Sequence, residues 1–408
     1  MSWYRALPLF SWLACAAPDP PTDPSSAKPT EPTEPTEPTS STSTTPELPT
    51  IPWLEDPGAR LFGSDRPVEV DIELTEDAVQ SLRDLPREWV AATVSIEGFP
   101  PEEGAVRLKG NGSFQPIDDK ASFKIDLSRP EADNAIDGLD DLVLNNMVSD
   151  PSMLRESTAY EVYRAAGIPA PRSRHAVVRV NGNRKGLYLL LEDVDGRFLN
   201  RWYEDGDGPL YEMFDVELTQ DGVANLDHDG GPDDRTLLYA LADVLADPNA
   251  TVSGAGSALL DLDAFLTYFA TSGAIGQFDA YPYSFPGDDI YLYVDPTTER
   301  IQLLPHGADE TFQDTDRPID YVFGLLAVRC LEDPICEERF DAAVWDALDL
   351  MDAMDLPAMM AERSATIEDR LKEHHDPAEW LDGADARSAL HAFITERRAQ
   401  VDAMPGID

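Results

Sequence analysis

Residues 18–52 are dominated by proline, threonine, serine and glutamate, with the unit Glu-Pro-Thr repeated at Glu31, Glu34 and Glu37. A stretch of that composition has almost no apolar side chains to bury, so it cannot build a core, and whatever folds in this chain must lie beyond it. Proline there favours polyproline II at about 3.1 Å per residue, so roughly 30 residues can hold a folded part up to about 90 Å from an anchor. We therefore expect a stalk over residues 18–56 and one folded region over residues 57–405. With 408 residues in all and 42% of them hydrophobic, that region is large enough to bury a substantial core.

Ahead of the stalk, Arg5 precedes a short apolar run from Ala6 to Ala14 that is interrupted by Pro8 and followed by Cys15, Ala16 and Ala17. This pattern predicts an export signal over residues 1–17. Cys15 after a small residue resembles the bacterial lipoprotein cleavage site, although Trp12 stands where leucine is usual. The expectation is an extracytoplasmic lipoprotein, at the cell surface or in the periplasm, that touches the membrane only through its lipid anchor; plain secretion is the alternative. The run falls short of the ~20 residues a spanning helix needs.

Aspartate and glutamate number 78 against 31 lysines and arginines, a formal net charge of −47. That charge repels nucleic acid and anionic headgroups, which excludes both as partners. It also weakens the signal of any single aspartate, since most must be solvated surface. The two remaining cysteines, in Cys330-Leu-Glu-Asp-Pro-Ile-Cys336, predict a disulfide closing a small loop in an exported protein, with two buried thiols as the alternative.

Val68, Val70, Ile72 and Leu74 alternate with acidic residues, which predicts a half-buried strand, and Thr75 before Glu76 and Asp77 predicts a helix start. Further strands are expected over residues 90–96, 105–109 and 122–127. In the last, Phe123, Ile125 and Leu127 share one face and leave Lys124 on the other. Asp150-Pro151 marks a helix start, with an end near Gly167. A hairpin follows over 176–180 and 187–191, turning at Asn181-Gly182. Leu262, Phe265, Leu266 and Phe269 fall on one face of a helix that Gly273 and Gly276 terminate, a short hairpin joins 290–294 to 301–304, and the pattern is helical from Phe340 onward. The fold class expected is α+β, with a β-rich part over about 57–192, a mainly helical part over about 193–405, and a crevice between them.

Gly-x-Ser-x-Gly, His-Glu-x-x-His, Cys-x-x-Cys and Walker A patterns are absent from the sequence, which removes the common hydrolase, metalloprotease and P-loop readings. A metal-dependent phosphatase or esterase is disfavoured because no tight cluster of histidines and carboxylates is visible in the sequence. What the chain carries is an ordered series: Arg107-Leu-Lys-Gly-Asn-Gly-Ser113, Lys120-Ala-Ser-Phe-Lys-Ile125, Leu144-Asn-Asn146 with Asp150 and Leu154-Arg155. It continues with Val180-Asn-Gly182, Gly186-Leu-Tyr-Leu-Leu-Leu-Glu192, Leu210-Tyr-Glu212, Asp279, Tyr291-Leu-Tyr293, and Pro305-His-Gly-Ala-Asp-Glu-Thr-Phe312. In order and spacing over roughly residues 65–315 this series resembles the CotH (spore coat protein H) family of atypical protein kinases.

The resemblance implies a two-lobed protein-kinase-like fold, ATP with Mg2+ (or Mn2+), and protein serine or threonine as acceptor. Phosphoryl transfer needs a cation on the phosphates, oxygens that hold metal, and a carboxylate near the incoming hydroxyl. The family places its catalytic aspartate at Asp279 and its metal-binding aspartate at Asp309. Asp289 stands where the family commonly has asparagine and is a second metal candidate. His306-Gly-Ala-Asp309 replaces a frequent Trp-Asp-x-Asp, so one acidic group is missing. Lys124 is the first candidate for the cation, with Lys120 and Lys109 as alternates, and Glu156 or Glu161 as its helical partner. Glu192 falls where a hinge between lobes would lie. Asn225, Asp227, Asp229 and Gly230 resemble the start of a calcium loop, but Thr236 stands where glutamate is required, so a solvated acidic loop is expected. His175 and His306 lack partners at metal spacing and are expected to be structural. The leading expectation is an exported, monomeric kinase acting on surface or coat proteins; the alternative is an inactive surface binding module on the same fold.

Overall fold

In the computed structural model, residues 56–129, 133–373, 378–404 and 407 are described. The expected export signal with Cys15, and the stalk up to residue 55, lie outside them. The elements in chain order are β1 (Val68–Glu73), α1 (Glu76–Asp84), β2 (Val90–Ile96), β3 (Glu102–Lys109), β4 (Ser122–Asp126), β5 (Asp141–Asn145) and α2 (Arg155–Ala165). Next come β6 (Ser173–Val180), β7 (Asn183–Glu192), α3 (Gly196–Trp202), β8 (Leu210–Met213), α4 (Gln220–Ala224), β9 (Asp227–Gly230), α5 (Thr236–Ala246), α6 (Leu262–Ala274), β10 (Ile290–Asp295) and β11 (Arg300–Pro305). The last helices are α7 (Leu325–Leu331), α8 (Pro334–Ala353), α9 (Leu356–Glu373), α10 (Ala378–Asp382) and α11 (Ala384–Asp402).

The first seven strands close into a barrel in the order β1-β2-β3-β4-β5-β7-β6, with β6 returning parallel to β1. Alternation drives the closure. Val68, Val70 and Ile72 of β1, Val106 and Leu108 of β3, and Phe123 and Ile125 of β4 all point inward and are buried, each contributing about 1.5–3 kcal/mol of apolar transfer. The outward faces differ. On β3 and β4 the alternate positions are Arg107, Lys109 and Lys124, half-buried, whereas β5 and β7 carry Val143, Leu187, Leu189 and Leu191 into a second core shared with the helices. That double burial explains the continuous apolar run of β7. Its turn from β6 uses Asn181 and Gly182 at φ 48° and 74°, the left-handed pair that a two-residue hairpin requires.

The second core is built on a four-stranded sheet, order β11-β10-β8-β9, against which α5 and α6 pack, with α2 and α8 packed in turn against α6. The expected α+β class and its principal strands and helices are present. Residues 225–230, read as an acidic loop, instead supply β9, paired antiparallel to β8. The Cys330–Cys336 disulfide joins α7 to the first turn of α8. Among the described residues no helix is long and apolar enough to cross a membrane.

The C-terminal helices reach back over both parts. Arg370 of α9 bridges Glu69 of β1 and Glu97 after β2 at 2.8 and 2.6 Å, and Arg363 bridges Asp65 and Glu161. On α11, Arg397 is 1% exposed and donates to the carbonyls of Gly273 and Ala274, at 2.7 and 3.0 Å, where α6 ends. A helix end leaves its last carbonyls without intrahelical partners, and a guanidinium satisfies two of them here. Replacing it by Met strands those carbonyls in the core. Arg397→Met should therefore lower stability in urea by about 2–3 kcal/mol, whereas Lys372→Ala, which removes an exposed cation beside Glu368, should leave the urea midpoint unchanged.

Candidate active site

Three loops converge under the β3–β4 face of the barrel. The first leaves α6: Gly276, at φ 67°, ends the helix, and Gln277 then turns back so that its amide donates to Gly307 O at 2.9 Å. The second enters β10 at Asp289, whose φ of 53° directs its side chain toward Gly307. The third leaves β11, where Gly307 at φ 55° opens a single 3₁₀ turn, Ala308–Glu310. Backbone bonds from His306 N to Asp289 O (3.1 Å) and from Phe312 N to Ile275 O (2.8 Å) stitch the loops together. A cavity of about 340 Å3 results, and Asp279, Asp288, Asp289, Asp309 and Glu212 line it from this side.

The opposite wall is the end of β3 and its turn. Lys109 lines it, followed by Gly110-Asn-Gly-Ser113, where Gly110 at φ 95° allows the chain to fold back tightly. Backbone amides exposed along such a turn are suited to anionic oxygens. The Lys109 ammonium donates to Asn145 Oδ1 at 3.0 Å, and Asn145 Nδ2 donates to both carboxylate oxygens of Glu156 at 2.9 and 3.0 Å. Glu156 is 2% exposed and belongs to α2. That helix starts under control of Asp150, whose carboxylate accepts from the amides of Ser152 and Arg155.

Crowding sets the electrostatics. Burial, then the charges of Asp279, Asp288 and Asp309, push the Asp289 carboxyl well above its ordinary range. Burial and Asp150 raise Asp309 despite the opposing pull of its own backbone amide and of Lys109. Asp279, exposed at the mouth, is raised by burial and partly held down by Arg317. Glu156 is pushed to about 8 by burial and Asp309, and Asp288 to about 6 by burial. His306 goes the other way, to about 3, because burial and Lys109 disfavour its cation; its imidazole is neutral at physiological pH. Carboxylate oxygens are hard ligands, of the kind that magnesium or manganese takes, and several are gathered in this one cavity.

A second cavity of about 780 Å3 continues along the same face, toward the chain that leaves β7. Lys124 is there, paired with Asp193 at 2.8 Å. Burial opposes its charge, but Asp193, Asp229 and Asp141 outweigh that and raise its pKa. Trp89 lies between the guanidiniums of Arg107 and Arg129, at 5.0 and 4.7 Å. Asp140, Asp141 and Asp195 bring carboxylate oxygens within 4.8 Å of one another. Burial and neighbouring aspartates push Asp141 to about 8; burial and Asp193 push Asp195 to about 7.

The structure thus brings Asp279, Asp289, Asp309 and Lys109 around one cavity and Lys124 to the adjoining one. Neither Glu156 nor Glu161 pairs with Lys124: Glu156 binds Asn145, and Glu161 binds Arg164 and Arg363. Lys120 lines neither cavity; it is committed to Glu379 of α10 and lies over the Tyr188 ring. Glu192 is buried, pairing with Arg172 at 2.8 Å and with Arg201, so it anchors the end of β7 and has no oxygen left for a ligand. His175 is buried and hydrogen-bonded to Met153 O, a structural histidine, but His306, expected to be structural as well, lines the acidic cavity. Sequence reasoning missed Asn145, Asp288 and Glu212 as wall residues. Asn145 and Glu212 stand inside fragments that resembled the family, but a fragment does not say which of its side chains turns toward a cavity.

Residues 106–401 match the family model described as CotH kinase protein, well over half of the chain, and the chain belongs to that family. It is 23% identical over 235 residues to inner spore coat protein H of Bacillus subtilis (strain 168), an alignment spanning 52% of this chain and 63% of that protein. Solved structures match as well. The Helicobacter pylori proinflammatory kinase CtkA aligns at 12% identity and a TM-score of 0.27, over 64% of this chain and 88% of that one. The HipA, HipB and operator DNA complex of Shewanella oneidensis MR-1 aligns at 11% identity and a TM-score of 0.32, over 65% and 62%.

The raised carboxyls make stability depend on pH in an unusual sense. A group whose folded pKa lies above its unfolded value stabilises fully below the unfolded value and loses that contribution as pH rises through the folded one. For Asp288, Asp195, Asp141 and Glu156 the loss spans about pH 4 to 8. The melting temperature of metal-stripped protein should fall between pH 5 and 9, and manganese at matched ionic strength should flatten the slope; identical slopes would contradict a cation site in the cleft. A methyl at Gly307 would overlap the Asp289 carboxylate and would also occupy a left-handed backbone. Gly307→Ala should weaken manganese binding, measured calorimetrically, by about tenfold or more.

Proposed function

We propose that this CotH-family chain is a protein kinase of the atypical class, two-lobed, which transfers the γ-phosphate of ATP to serine or threonine hydroxyls of a protein outside the cytoplasm. The observation that carries the reading is the meeting of Asp279, Asp289 and Asp309, delivered by three separate segments, opposite Lys109 and a glycine-rich turn. In this reading the barrel is the N-terminal lobe, the second sheet with its helices is the C-terminal lobe, and the two adjoining cavities form the cleft between them.

ATP with magnesium or manganese, when bound, supplies the phosphoryl group and the positive charge that offsets it. Asp309 and Asp289 are the residues that would hold the metal: both are carboxylates, and the compression that raises them is relieved by a cation. Lys109, steadied by Asn145, offers a fixed ammonium to anionic oxygens, and the glycine-rich 110–113 turn lines the same space. Lys124, two register positions further along the sheet and opposite Arg107, contributes a second cation in the adjoining cavity. Asp279 stands at the open mouth, where a carboxylate is placed to orient an incoming hydroxyl and accept its proton. Its raised affinity for protons suits that role. The Cys330–Cys336 disulfide supports an oxidising location. The N-terminal sequence supports export with lipidation at Cys15, and the name of the Bacillus relative supports a surface or coat setting. A second reading, a catalytically inactive surface binding or structural module on the same fold, is favoured by His306-Gly307 standing where the family's extra acidic residue is frequent.

ATP with magnesium at 100 times its dissociation constant should stabilise the folded chain by about 2.7 kcal/mol, and label from γ-labelled ATP should appear on protein. Asp309→Ala should abolish both. Stabilisation without transfer selects the second reading, and transfer by Asp309→Ala at the wild-type rate sinks the first.

A further inference from the structure

Lys109 does not reach a carboxylate directly. It sits at the end of β3, registered with Ser122 of β4, while its partner Asn145 is at the end of β5, the next strand over. Two strand spacings separate β3 from β5, about 9.5 Å, so the lysine stem leans along the sheet across Ser122, the small side chain between. An ammonium carries only hydrogens, so Asn145 must present Oδ1 to it; the amide nitrogen is thereby turned to Glu156, where it meets both oxygens. Glu156 is itself held by Tyr160, 3.3 Å away on the same helix, and α2 packs against the 3₁₀ turn that carries Asp309.

We infer that Asn145 is a positioning residue: its amide relays the place of the Lys109 ammonium to Glu156 and α2, and so couples the cation on the barrel to the carboxylate loop across the cavity. The inference rests on the kinase reading for its consequence but not for its geometry. Asn145→Ala breaks both bonds. Asn145→Asp keeps an acceptor for Lys109 and loses the amide donor, leaving only the proton of Glu156 itself to bridge the two carboxyls, a proton that is lost as pH rises through about 8. The double change Asn145→Asp with Glu156→Gln reverses donor and acceptor and restores both bonds.

The test uses the full chain and two readouts. In ligand-free protein, mass spectrometry follows acylation of Lys109 by an amine reagent; Asn145→Ala should speed it several-fold, with melting temperature recording any general loss of fold. With ATP and magnesium, Asn145→Asp should lower phosphoryl transfer on the order of tenfold or more, chiefly in kcat, and the reversed pair should recover to within about threefold. Unchanged acylation in Asn145→Ala, or a reversed pair no better than Asn145→Asp alone, overturns the inference. If wild-type protein neither binds ATP nor transfers label, the kinase reading fails on its own, and the acylation rates still decide whether the relay exists.

Discussion

Like charge compressed into a partly buried space is the constraint around which this molecule is organised. Left in water, Asp279, Asp288, Asp289, Asp309 and Glu156 would repel one another only weakly. Under the β3–β4 face they lose solvent, and each raises the proton affinity of the next. A fold holds such an arrangement only if the rest of the structure over-determines it. Here that work falls to the Gln277–Gly307 bond, the left-handed backbone at Asp289 and Gly307, and Arg397 on the carbonyls that end α6. Each of these fixes where a carboxylate points.

The barrel supplies the opposing charge by a simple device. Alternation along β3 and β4 sends apolar side chains inward and leaves Arg107, Lys109 and Lys124 on the face that looks onto the acidic loops. In a chain of net charge −47, basic side chains gathered on one sheet face set cations directly opposite the acidic loops. Acids still outnumber bases in the lining of both cavities, so an anionic ligand fits there only together with a cation that offsets the carboxylates.

Much of this was legible in the sequence because two periodicities are strong: period two in β1, β3 and β4, and the 3.6-residue stripe of α6. Asn181-Gly182 announced its hairpin, and Thr75 its helix. The aspartates at 279, 289 and 309 were visible through the resemblance and not through pattern, since an acidic chain hides any single acid. What escaped was decided by tertiary contact. Lys124 and Lys109 are equivalent by alternation, and only the partners that reach them, Asp193 for one and Asn145 for the other, separate their surroundings. Glu192 ends an apolar strand like a residue poised at a hinge, but two arginines distant in sequence claim it. Asp227–Gly230 is too short and too polar to declare itself a strand, and pairing with β8 makes it one.

The return of β6 alongside β1 has a bearing on how copies of the protein behave when crowded together. A sheet that ends in open strands offers unpaired amides and carbonyls to any neighbour, and closing the ring removes that invitation. The smaller sheet ends on one side in Asp-His-Asp-Gly, four residues of hydrophilic ribbon, and on the other in β11, which α6 packs against and the bridge from Leu260 flanks. Among the described residues, then, the sheets present little that could template strand-to-strand growth. A neighbouring copy therefore finds few open strand edges to pair with in either sheet.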